Sequence, residues 1–266
     1  MFILKNIFRL VLLFLVLTGC SLKSLVIPNL AYIMTEGVDK KLDLYYSEEK
    51  IVQSDLEELL KSEVTTVEDL KKNLSELTFE NFDPELVARK FSKYYAYFAP
   101  KLNRILSKQM AKFTPERQVE LLAIAIDDNK TIENRIKKKR TDEIVKRYEF
   151  IFGEMSKEQV KMIDKNMHLY QELNKKRLAR RLAIQAELKV IFKEEKQELR
   201  QKRIESLFNS QIDIEKGLKD FSPVLKLVKS ILPTLSKEQV KSFKSKQLIA
   251  DDWLKAFIEY YTKQKE

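Results

Sequence analysis

The chain has 266 residues with 50 basic and 40 acidic side chains, one cysteine and one histidine. That length can bury a sizeable core in one or two domains, and a single cysteine excludes an internal disulfide. Four glycines in the whole chain, against an average near 7% of residues, argue against glycine-rich phosphate loops, dinucleotide-binding fingerprints and tight hairpins. Lys, Glu, Leu and Ile dominate, with Ala, Gln and Arg adding to the helix-forming share. The expected fold is all-α, a bundle of long antiparallel helices with shorter helices at its N- and C-terminal ends.

Residues 1–9 carry Lys5 and Arg9 and no acid, and residues 10–17 are all aliphatic or phenylalanyl. A positive start and a short apolar run form the pattern of a secretory signal; the run falls short of the roughly 20 residues that span a bilayer. Leu17-Thr18-Gly19-Cys20 closes the run and resembles the lipobox of bacterial lipoproteins. The resemblance implies cleavage between Gly19 and Cys20, a diacylglyceryl thioether on the Cys20 sulfur, and commonly a third acyl chain on the freed amine. Several buried chains anchor firmly where one does not. The expected organisation is a signal peptide over 1–19, a lipidated tether over 20–29 ending near Pro28, and a helical domain over 30–266. Ser21 stands where an aspartate often retains such proteins in the inner membrane. The expected location is therefore the outer membrane, lipid-anchored on the periplasmic side.

Charge is unevenly spread. Residues 36–85 hold 15 acids and 6 bases, a net of −9, whereas residues 86–266 hold 41 bases and 25 acids, a net of +16. Such asymmetry points either to two lobes that attract each other or to a basic surface that meets an anionic partner. For an exported chain that partner is an anionic envelope component or another protein rather than nucleic acid.

In chain order, Leu30, Ile33, Met34, Val38, Leu42 and Tyr45 recur at helical intervals. Ser47-Glu48-Glu49 restarts the pattern, with Ile51, Leu56, Leu59 and Leu60 inward. A short helix is expected from Thr65 or Thr66, where Glu68 and Asp69 suit the positive end of the helix dipole. Asp83-Pro84-Glu85 is a helix start with proline at its first position. Pro100 predicts a kink or break in the helix that follows. Phe113-Thr114-Pro115-Glu116, Met155-Ser156-Lys157-Glu158-Gln159 and Leu235-Ser236-Lys237-Glu238-Gln239 open alike, the last two as capping boxes. Their unequal spacing argues against a solenoid repeat. After Pro115 no proline or glycine occurs before Gly153, and residues 157–208 contain neither, which predicts two long helical stretches. Gly217, Pro223 and Pro233 are expected to cut the C-terminal part into shorter helices.

Few residues suggest chemistry. His168 has no HExxH or paired-cysteine context, so it is expected on a helix surface, with no metal site and no cofactor. No G-x-S-x-G elbow is present. Asp127-Asp128, Glu194-Glu195 and Asp251-Asp252 are paired acids, but neighbours on a helix point about 100° apart, so no catalytic residue is assigned. Arg177, Arg180 and Arg181, with Arg200 as a further member, are the candidate anion-binding strip, because i, i+3 and i+4 positions share a helix face. The stripe Phe91, Tyr94, Tyr95, Phe98 and the cluster Trp253, Phe257, Tyr260, Tyr261 are expected in the core.

Taken together, the LTGC box, Leu30-Ala31-Tyr32, the stretch Leu42-Asp43-Leu44-Tyr45-Tyr46-Ser47-Glu48-Glu49 and the later helix starts resemble an uncharacterised family of proteobacterial outer-membrane lipoproteins. The tryptophan-rich first helix usual there is absent, since Trp253 is the sole tryptophan. Leu235-Ser236-Lys237-Glu238-Gln239 also resembles the helix starts of Spy-like periplasmic chaperones. The first expectation is a non-enzymatic binding or scaffold protein. A periplasmic holdase and a carboxylate-based envelope hydrolase are the alternatives.

Overall fold

The computed structural model describes residues 20–138 and 140–264, with the side chains of residues 20 and 21 outside that description. Residues 1–19, where the signal and most of the lipobox-like stretch are expected, lie outside the described residues. Among the described residues every regular element is helical, as composition predicts. In order they are α1 (Cys20–Val26), α2 (Leu30–Leu42), α3 (Tyr46–Ser62), α4 (Val64–Ser75), α5 (Pro84–Met110), α6 (Pro115–Lys137), α7 (Thr141–Phe152), α8 (Lys157–Lys165), α9 (Met167–Ile191), α10 (Gln197–Asn209), α11 (Ile214–Ile231), a short 3-10 turn (Leu232–Thr234) and α12 (Lys237–Lys263).

Several boundaries are set by local chemistry. The Asp83 carboxylate accepts from the Glu85 and Leu86 amides at 2.8 and 3.2 Å. Ser156 and Ser236 cap α8 and α12 as full capping boxes, and Thr114 caps α6. Each satisfies amides that the first helical turn leaves without carbonyl partners.

Other boundaries differ from the sequence reading, and packing explains them. The stretch expected as a tether is helical in α1, and Val26 and Ile27 are buried in the main core. Pro100 lies inside a continuous α5. It removes one amide donor, but Tyr94, Ala99 and Leu102 around it are buried, and that burial outweighs the roughly 3 kcal/mol cost of a helical proline. Gly217 and Pro223 likewise fall within α11, which packs along α5.

The expected long helix over 115–152 breaks instead after Lys137. The cluster Lys137, Lys138 and Arg140 concentrates like charge at one helix end, and α7 turns away to pack on α8 and α12. The stretch over 157–208 breaks twice. At Asn166 the side-chain amide donates to the Met162 carbonyl at 2.8 Å, competing locally with regular helix pairing. After Ile191 the chain turns where Arg200 grips it: Nε and Nη2 donate to the Glu194 carbonyl at 2.8 and 2.6 Å, and Nη1 to the Ala111 carbonyl at 3.0 Å. Arg200 is therefore a backbone clasp and not a member of an anion strip.

Two apolar clusters form the interior. The larger joins α1–α5 to parts of α6, α9 and α10 and to Trp253, Leu254, Phe257 and Tyr261 of α12. The smaller joins α7, Met155, Ile163, Met167, Leu227 and Ile231, with Phe243 of α12 packed on it. Helix α12 thus spans both. Of the predicted aromatic stripe, Tyr94 is buried and Phe91, Tyr95 and Phe98 are half-buried.

Part of the charge asymmetry is met by ion pairs within the fold. Acids of the 36–85 stretch pair with bases further along the chain, as in Asp55–Lys108 at 3.0 Å, Glu48–Arg117 at 2.6 Å and Asp83–Lys229 at 2.6 Å. Glu63, 2% exposed, pairs with Lys101 and accepts from Thr66 Oγ1 at 2.9 Å.

Similar helix starts also meet in space. Gln159 and Gln239, both at the third helical position, face each other, 1% and 6% exposed. Each Nε2 donates to the other's Oε1, at 3.0 and 2.9 Å. Gln159 Nε2 also donates to the Thr234 carbonyl at 3.0 Å, and Gln239 Nε2 to the Glu154 carbonyl at 2.7 Å. Thr234 and Glu154 each stand two residues before their cap serine, so the arrangement has local two-fold symmetry. Every polar atom of both amides is satisfied, as burial requires.

Candidate functional site

Helices α6 and α9 run antiparallel, since Gln185 donates to the Ala125 carbonyl at 3.3 Å while Gln171 donates to the Ile136 carbonyl at 3.0 Å. Between them, and closed further by α5, α7, α10 and α11, lies a partly enclosed cavity of about 270 Å³. Ligand sites are commonly of this kind: concave, mostly apolar, with a few convergent polar groups. Here the wall is mostly apolar, while its ionisable side chains comprise eight bases against three acids. The bases are Lys41, Arg135, Arg140, Arg147, Lys176, Arg177, Arg180 and Arg181; the acids are Asp128, Glu143 and Asp220.

The three arginines singled out from sequence all reach this cavity, but in unequal roles. Arg181, 9% exposed, is an interior residue. Its Nε donates to Asn129 Oδ1 at 2.6 Å and its Nη2 to the Ala125 carbonyl at 3.1 Å. Asn129 Nδ2 in turn donates to Gln185 Oε1 at 2.9 Å, which ties α6 to α9. Burial lowers the Arg181 pKa from its ordinary value, opposed by the Asp128 carboxylate 3.7 Å away. Arg180 shares Asp220 with Lys176, at 3.3 and 2.8 Å. All three residues of the candidate anion-binding strip thus line the cavity, Arg181 as an interior residue that ties α6 to α9.

Sequence reading left Arg135, Arg140 and Arg147 outside the candidate strip. The first two flank the α6–α7 break and share Glu143, and only that break brings α7 to the cavity. Arg135 Nε is buried, lies 3.7 Å from Glu143 Oε2, and makes no hydrogen bond among the described residues. Lys41 arrives from α2 and pairs with Asp128 at 2.9 Å.

The remaining candidates scatter. His168 is exposed, as expected. Asp127 pairs with Lys130 and Asp128 with Lys41; Asp251 pairs with Lys71, whereas Asp252 pairs with Lys23 of α1. Glu194 lies 3.7 Å from Arg203. Among the described residues no group of three or more His, Cys, Asp or Glu is placed to hold a metal, and no helix is long and apolar enough to cross a membrane. Gly19 and the Cys20 sulfur lie outside the described residues and side chains. Comparison with protein-family models, curated proteins and solved structures finds no match to this chain.

Proposed function

We propose that this chain is a lipid-anchored, non-enzymatic binding protein of the bacterial envelope, held on the periplasmic side of the outer membrane through Cys20 and binding an anionic partner at the cavity between α6 and α9. The observation that carries the binding half is the excess of eight bases over three acids on one partly enclosed, mostly apolar wall. Such a concentration of one sign raises the local concentration of counter-charged ligands, and arginine forks match carboxylates and phosphates. The anchoring half rests on Leu17-Thr18-Gly19-Cys20 and on the resemblance to outer-membrane lipoproteins. Because α1 docks on the core, a lipid on Cys20 would hold the body close to the bilayer rather than at the end of a free leash.

Two measurements test the two halves. Metabolic labelling with an acyl precursor should mark the wild type and leave Cys20→Ser unmarked; equal labelling of both would overturn the anchor. Calorimetric titration with inorganic pyrophosphate should show saturable binding that weakens at least tenfold in Arg177→Glu/Arg180→Glu. Binding that is unchanged in that variant, or no binding at all, would overturn the anion site.

A further inference from the structure

We propose that the occupant of the cavity is a single-chain anionic amphiphile, an acyl chain ending in a carboxylate or phosphate; this rests on the binding reading above and names its ligand class. The inference comes from how polarity is ordered along the cavity. Because α6 and α9 are antiparallel, Leu121 and Leu122 face the level of Ile184 and Leu188, and Leu106 and Phe208 join them from α5 and α10. Charge enters one helical turn further along, where Lys41 and Arg181 meet Asp128 and neutralise one another. The opposite end, where Arg135 lies across from the 170–177 segment of α9, gathers Arg140, Arg147 and Arg177. An anion alone would use only the second end, and an apolar molecule only the first. A molecule with a tail and an anionic head uses both.

Dimensions agree. From position 121 to position 135 a helix advances about 21 Å at ~1.5 Å per residue. A single acyl chain covers roughly half of a ~30 Å hydrocarbon core, so tail and head both fit within that span. The head end also offers the buried Arg135 Nε, a donor with no hydrogen-bond acceptor among the described residues. Midway along lies Gly217 on α11: a Cβ built there meets nothing within 4 Å. Glycine within a helix costs about 1 kcal/mol relative to alanine, and here its missing side chain leaves the cavity open.

The test uses the full lipidated chain in neutral phosphatidylcholine vesicles, with a diazirine-bearing fatty acid as probe and peptide mapping of the crosslinks. The expected result is labelling concentrated at 121–125 and 184–188, competed by dodecyl phosphate at concentrations at least tenfold below those at which inorganic pyrophosphate competes. Gly217→Phe, which fills the cavity midway, should reduce that labelling at least fivefold, whereas Gly217→Ala should retain it with an unchanged circular dichroism spectrum. Labelling elsewhere, no labelling, or labelling indifferent to Gly217→Phe would overturn the amphiphile. If the amphiphile fails while pyrophosphate still binds through Arg177 and Arg180, the binding reading stands with a soluble anion as ligand; if neither binds, both readings fall.

Discussion

Replacing Gln159 or Gln239 by leucine tests whether the reciprocal amide pair holds the α8 and α12 starts together. Each glutamine makes hydrogen bonds to its partner, to a backbone carbonyl of the opposite loop and to its own cap amide, the last at 2.8 Å for Ser156 and 2.9 Å for Ser236. A net hydrogen bond contributes about 1 kcal/mol, and a buried group left without its partner costs about 1–3 kcal/mol. Gln159→Leu removes one amide and strands the other, so each single variant should lose about 3 kcal/mol. The double variant strands only backbone groups, because neither side-chain amide remains. It should lose about 4 kcal/mol rather than 6, a coupling near 2 kcal/mol, within the range for contacting residues. Urea unfolding of the four proteins measures this. Additivity within 0.5 kcal/mol, on the order expected for independent sites, would refute the pairing.

Three further outcomes follow from the interior. Gln109 is fully buried on α5 and neither of its amide atoms has a hydrogen-bond partner among the described residues; Gln109→Leu should stabilise by about 1–2 kcal/mol, read as a higher urea midpoint with unchanged slope. Lys101→Ala leaves the buried Glu63 without its cation and should cost about 3 kcal/mol, with Glu63→Gln/Lys101→Ala recovering part of the loss. Tyr94 is pushed up to about 12, first by burial and then by its hydrogen bond to Asp69. A raised folded pKa gives stability that is complete below the unfolded value near 10 and is lost as pH rises toward 12. Denaturant midpoints measured from pH 9 to 12 should fall across that window, and fall less steeply in Tyr94→Phe.

Helix starts were the most legible features, because a cap side chain and a first-turn glutamate act within four residues. Asp83, Thr114, Ser156 and Ser236 all cap as read. Helix ends and continuity were less so, because they depend on partners distant in sequence. Pro100, Gly217 and Pro223 break nothing, since α5 and α11 pack on each other along their length. The break after Lys137 has no glycine or proline to announce it, and without it Arg140 and Arg147 could not be placed beside Arg177. Three arginines on one helix were visible as a face; that the face borders a cavity, and that Arg181 is interior, follows only from α6 lying alongside.

The third helical position links the caps to the cavity. In α8 and α12 it holds Gln159 and Gln239, which bond each other. In α6 it holds Arg117, whose Nη1 donates to Glu48 Oε2 at 2.6 Å and whose Nη2 donates to the Leu42 and Asp43 carbonyls at 3.2 and 2.5 Å. Glu48 is itself the third residue of α3 and accepts from the Tyr45 amide at 2.9 Å. A residue there projects beside the helix start, where amides without carbonyl partners and the carbonyls of a neighbouring chain end lie within reach. Burying it fixes where one helix begins relative to another. Helix α6, one cavity wall, is thus pinned at its start to α2 and α3, and the α8–α9 segment that supplies the other wall is pinned at its start to α12. Two walls fixed where their helices begin, and tied midway through Asn129, Arg181 and Gln185, define a cavity shaped before any ligand enters, which lowers the ordering cost of binding.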